Sequence, residues 1–88
     1  MKTIADFKRK MTVGSKWFFI SDYCEGKLRT CTHSQSNSFA LTGVRDKKES
    51  SWCDWPKKKD VIFHWVNGKE AISINYLPDR NLTYVFVE

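Results

Sequence analysis

The chain has 88 residues, a formal net charge of +5, and hydrophobic and aromatic shares of 41% and 15%. That length makes one domain, residues 1–88, with a single small core. The aromatic content excludes a disordered chain, because apolar area is available to offset the entropy of ordering. No run approaches the ~18 apolar residues of a membrane span, and Lys2 leads into an amphipathic segment rather than a signal-peptide core. With three cysteines that cannot all pair, the expectation is a reduced cytoplasmic protein without membrane contact.

Thr3 to Met11 reads as a short helix. Thr3 and Asp6 have the spacing of an N-cap and its reciprocal acid, and Ile4, Phe7 and Met11 fall on one stripe at 100° per residue. Gly14 stops it with a left-handed residue. A helix this short is marginal alone and needs a sheet to pack on. Lys16 to Tyr23 is apolar on both faces at its start, which predicts a central strand. Glu25-Gly26 turns the chain into a strand over Lys27–His33, with Leu28, Thr30 and Thr32 alternating against Arg29, Cys31 and His33. Ser34–Ser38 is a polar interruption, a loop or a bulged start to the next strand, Phe39–Val44.

The charged turn Arg45–Glu49 leads to a strand over Trp52–Trp55 that ends at Pro56, which cannot donate to a ladder. Val61–Val66 and Lys69–Tyr76 flank Asn67-Gly68, the dipeptide best suited to a type I′ hairpin. Ile72, Ile74 and Tyr76 share one face of the second strand. After a turn at Leu77–Asn81, Leu82–Val87 closes the chain, with Leu82, Tyr84 and Phe86 on one side. The connections are too short for parallel crossovers. The fold class is therefore α+β: one short N-terminal helix packed on a strongly curved antiparallel meander, or small open barrel, of five to seven strands.

Charge is distributed unevenly. Residues 1–59 hold 13 Lys/Arg against 6 Asp/Glu, and residues 60–88 hold 2 against 4. One basic face favours nucleic acid, acidic proteins or anionic surfaces, although many soluble domains of this charge bind no polyanion. The candidate binding residues are Trp55, Lys57, Lys58 and Lys59, joined by Lys8, Arg9 and Lys10 if the helix lies on the same side. Aromatic stacking and phosphate contacts are the chemistry such a set supplies. Trp52 and Trp55 are three residues apart, so a regular strand sends them to opposite faces. For the pair, the plainer reading is preferred: one tryptophan fills the core and the lysines are solvated. One tryptophan is expected to be partly exposed, and Trp55, beside the proline, is the choice.

Other chemistry is poorly supported. Cys24, Cys31, His33, Cys53 and His64 are zinc-ligand types, but only Cys31 and His33 are close, and paired ligands at the usual spacing are lacking. No metal or cofactor is expected. His64 reads as a hydrogen-bonded structural residue. No nucleophile with a base and an orienting acid can be assembled, so the expectation is a non-enzyme. Gln35–Ser38 reads as a solvated turn in preference to a recognition loop.

Ile4–Trp17, Gln35–Leu41, Trp52–Lys57 and the closing Leu82-Thr83-Tyr84-Val85-Phe86 together make a pattern that covers most of the chain. It resembles a group of small uncharacterised proteins carried by bacteriophages and mobile elements. That resemblance transfers no functional residue. It implies a context: small phage proteins act by binding and blocking host machinery in the bacterial cytoplasm, anti-CRISPR inhibitors among them. The expectation is an inhibitor of a host nucleoprotein complex, with a single-stranded DNA or RNA-binding module as the alternative. A homodimer through an edge strand is compatible with both.

Overall fold

The computed structural model describes residues 1–21, 26–43, 50–77 and 80–88. Thr3 caps a helix, α1 (Ile4–Lys10), in which the Thr3 hydroxyl accepts the Asp6 N–H and the Asp6 carboxylate accepts the Thr3 N–H. Seven strands follow: β1 (Lys16–Ile20), β2 (Lys27–Ser34), β3 (Ser38–Gly43), β4 (Ser50–Asp54), β5 (Val61–Val66), β6 (Lys69–Leu77) and β7 (Arg80–Phe86). A 3-10 turn, Lys58–Asp60, precedes β5. The expected turns at Glu25, Arg45–Glu49 and Pro78-Asp79, the continuation to Tyr23, Cys24, and the side chain of Tyr76 lie outside the described residues.

All the strands form one antiparallel sheet in the order β4-β3-β2-β1-β7-β6-β5. Two meanders, β1–β4 and β5–β7, are joined where β1 pairs with β7, Trp17 opposite Phe86 and Phe19 opposite Tyr84. The strand read as central does stand at the centre. Its burial on alternate residues, Trp17 and Phe19, is completed by the half-buried Phe18 and Ile20 on the other face.

Strand order explains why the sheet must curl. The segment from Trp55 to Asp60 carries the chain from one edge strand to the other. A flat seven-stranded sheet separates its edges by about 29 Å, since neighbours lie ~4.8 Å apart. The connection spans at most about 24 Å fully extended, and one turn of it is 3-10. The sheet therefore folds into a half-barrel. Its opening is narrow enough that the Cys53 thiol on β4 lies 3.2 Å from the Tyr84 hydroxyl on β7.

The concave face holds the core. Phe7, Met11, Trp17, Phe39, Leu41, Ile72, Ile74 and Tyr84 have no exposed surface. Phe7 is its hub: edge-on to Trp17, Phe39 and Trp55 at centroid distances of 5.6, 5.6 and 5.5 Å, and tilted against Tyr84 at 6.2 Å. Such pairs contribute about 0.5–1.5 kcal/mol each beyond burial. The seven-residue helix gains its stability from this insertion. The indole N–H of buried Trp17 donates to Ser15 Oγ at 2.9 Å, and Ser15 Oγ donates to the Thr12 carbonyl at 2.6 Å, so the helix-to-sheet turn satisfies a core donor.

Asn67 and Gly68 have φ of +50° and +78°, and Val66 faces Lys69, which is the expected type I′ hairpin. Ser34–Ser38 closes the β2–β3 hairpin, with Gln35 N–H donating to the Ser38 carbonyl at 2.8 Å. A register shift between Cys31 and His33 breaks the alternation expected along β2. Arg29 and Cys31 face the core, whereas His33 is turned to the convex face.

Candidate basic and aromatic surface

Trp55 follows the end of β4. Its N–H donates from the indole to the Gln35 carbonyl at 2.7 Å, its backbone N–H donates to the Asn37 carbonyl at 3.3 Å, and its ring packs on Phe39 at 4.7 Å. The polar Gln35–Ser38 turn is thus a bracket for this indole. Trp55 is half-buried, and the expectation that it is the exposed member of the pair is corrected: Trp52 is 64% exposed. The two do lie on opposite faces, as strand parity requires. Pro56 reverses the expected outcome because its ring is itself buried, drawing Trp55 inward, while Trp52 points to the convex side of edge strand β4 beside His33 at 5.0 Å.

The helix basic residues part ways. Lys8 is exposed, and its Nζ lies 5.2 Å from the Trp55 ring centroid. Arg9 pairs with Asp6 on the solvent side of the helix. Lys10 turns to the other flank, where its Nζ is 2.9 Å from Glu70 Oε2 and 4.4 Å from the Phe86 centroid. Glu70 also accepts from the Met1 amine at 2.8 Å. The amine foremost, then Lys10, holds the Glu70 carboxyl below its ordinary range. Asp6 is held at about 2, chiefly by the Lys2 backbone N–H. The expected basic group Lys8–Lys10 is therefore not one patch, because Arg9 and Lys10 each have an acidic partner.

Lys57, Lys58 and Lys59 are all exposed. Lys57 is two residues from Trp55, so its Cα lies within ~7 Å of that residue. Lys8 lies over the Trp55 ring, and Lys57, Lys58 and Lys59 follow Trp55 in the chain, the last two in the 3-10 turn. Among the described residues no carboxylate lies within ion-pair distance of these four lysines. Exposed lysines of this kind can neutralise anionic groups. The Trp55 indole offers an edge rather than a free stacking face, since Phe39 and Lys8 both lie against it.

Two chemistry-bearing groups take structural roles. His64 Nε2 lies 2.7 Å from Ser73 Oγ, which lies 2.9 Å from Thr83 Oγ1, a chain across β5, β6 and β7 on the convex face. Cys31 is buried, its thiol 3.7 Å from the Met11 carbonyl, and burial raises its pKa. The bulge sends Cys31 and His33 to different faces, so the one close pair of zinc-ligand types does not converge. Among the described residues no three His, Cys, Asp or Glu side chains gather into a metal-binding group, and Cys31 and Cys53 are not joined in a disulfide. No described helix is long and apolar enough to cross a membrane.

Sequence reasoning missed Arg29 and Glu70. Arg29 is 2% exposed, with its guanidinium 5.1 Å from the Phe19 centroid, and nothing local distinguishes it from a surface arginine. Glu70 carried a signal. It sits on the parity of Ile72 and Ile74, so the hairpin register turns it toward the helix. No family model, curated protein or solved structure matches the chain.

Proposed function

We propose that this chain is a non-enzymatic binding protein that blocks a host nucleoprotein complex, competing for phosphate contacts through Lys8, Trp55, Lys57, Lys58 and Lys59. The observation that carries this reading is four exposed lysines with no acidic partner among the described residues, Lys8 over the Trp55 ring and Lys57, Lys58 and Lys59 following Trp55 in the chain. Charges left without internal partners cost little in water and are available to a polyanion. The resemblance to small phage proteins supplies the partner class, and CRISPR effector complexes in a bacterial cytoplasm are the first to test. Arg9 and Lys10 leave the site, since Asp6 and Glu70 already hold them.

A second reading, direct binding of single-stranded DNA or RNA, draws on Trp52, whose exposed ring beside His33 is the better stacking surface. The experiment is a pull-down and inhibition assay against assembled effector complexes, using wild type, the Lys57–Lys59→Glu triple variant and Lys8→Glu. Loss of binding in both variants supports the proposal, and unchanged inhibition removes this surface from it. Quenching of tryptophan fluorescence by a free oligonucleotide at ~50 mM salt, abolished by Trp52→Ala, selects the second reading.

A further inference from the structure

Edge strand β5 carries none of the features that keep sheet edges apart. Val61–Val66 holds no charged residue, no proline and no register shift against β6. Ile62 and Trp65 on it are 69% and 66% exposed. The 3-10 turn before it packs back on β6, and β5 is the last strand in the sheet order, with no described strand paired to its outer edge. The opposite edge differs: β4 ends in Asp54 and runs into Pro56.

The hairpin fixes which backbone groups point outward. In a two-residue type I′ hairpin the residues flanking the turn exchange both hydrogen bonds, so Val66, His64 and Ile62 face β6. The N–H and C=O groups of Val61, Phe63 and Trp65 therefore point to the open edge. A two-fold axis perpendicular to the sheet keeps each face on its own side, so paired residues must share parity. Centring the axis on Phe63 satisfies both conditions. It pairs Phe63 with its own copy and Val61 with Trp65 of the second copy, three hydrogen-bonding pairs in a row.

The geometry points to a homodimer of this chain, formed by antiparallel β5–β5 pairing centred on Phe63 and joining two half-barrels into one continuous sheet. Charge favours this occupant. Antiparallel pairing sets the two Lys57–Lys59 segments at opposite ends, with the Lys59 positions about 27 Å apart at ~3.4 Å per residue. That exceeds the ~8 Å screening length at physiological salt, so the +5 chains meet along their neutral strands. Asp60 of one copy falls opposite Val66 of the other, whose β6 neighbour on the same face is Lys69. The two-fold repeats this acid–base complement at each end. Trp65 gains cover from Val61 and Phe63 of the second copy.

Sedimentation velocity over a hundredfold concentration range, with amide hydrogen exchange on the same samples, tests the pairing. Wild type is expected to shift from monomer to dimer mass. With concentration, the amides of Val61, Phe63 and Trp65 should gain protection, while those of Ile62 and His64 stay unchanged because β6 already holds them. Ile62→Lys and Trp65→Lys should stay monomeric across the range with unchanged circular dichroism, while Val13→Lys, at a remote exposed apolar residue, should dimerise as wild type does. A monomer at every concentration overturns the inference, as does a dimer that survives Ile62→Lys or protects the other amide set.

Discussion

The two flanks of α1 use the same elements to opposite ends. On one, Lys10 lies over Phe86 and is also paired with Glu70, which the Met1 amine holds from a second direction. On the other, Lys8 lies over Trp55 and has no carboxylate partner among the described residues. One flank closes its charges on itself and ties the helix to β6. The other leaves its charge open beside Trp55. Two lysines separated by one residue thus divide stability from binding, and what distinguishes them is the acid across the gap.

Removing the hub common to both flanks has the largest expected effect. Phe7→Ala deletes a fully buried ring in contact with four others, and should cost about 3–5 kcal/mol in urea unfolding followed by tryptophan fluorescence. If the flanks really differ, the next pair separates them. Glu70→Gln should lower the denaturation midpoint, with the difference shrinking at high salt, while leaving partner binding intact. Lys8→Gln should do the reverse.

The helix start gives a smaller effect. Thr3→Ala removes the cap and should cost about 1 kcal/mol. Asp6 in the same box has a folded pKa depressed from 3.8 to about 2, so its contribution is complete above pH ~4 and is lost as pH falls toward 2. Acid titration of wild type against Asp6→Asn should therefore converge near pH 2. Glu70 acts with the same sign, its depressed pKa adding stability that disappears in acid. Smallest of all, Trp52→Ala should change stability by less than about 0.5 kcal/mol, because its ring is already mostly in water.

What could be read from the sequence was what local rules decide. The capping box at Thr3 and Asp6, the Asn67-Gly68 hairpin and the two-sided apolar character of β1 each follow from a few adjacent residues, and each is present in the structure. The curled α+β architecture followed from their sum. The placement of Trp55 did not, because it depends on a carbonyl at Gln35 in a different hairpin and on Phe7 in the helix. The division of Lys8 from Lys10 needed the register of β6 to bring Glu70 beneath the helix. The bulge that parts His33 from Cys31 has no marker among the threonines around it.

The join between β1 and β7 has a kinetic consequence. Trp17 and Phe19 pair with Phe86 and Tyr84, which lie beyond all the other strands in the sequence, so the seam at the centre of the sheet closes a long loop. Contacts of that sequence separation place folding in the millisecond-to-second range typical of non-local β proteins. Until β7 docks, β1 offers one unpaired edge, and two aromatic residues on it wait for partners. Docking of β7 on β1 is the step that makes two half-sheets into a single sheet.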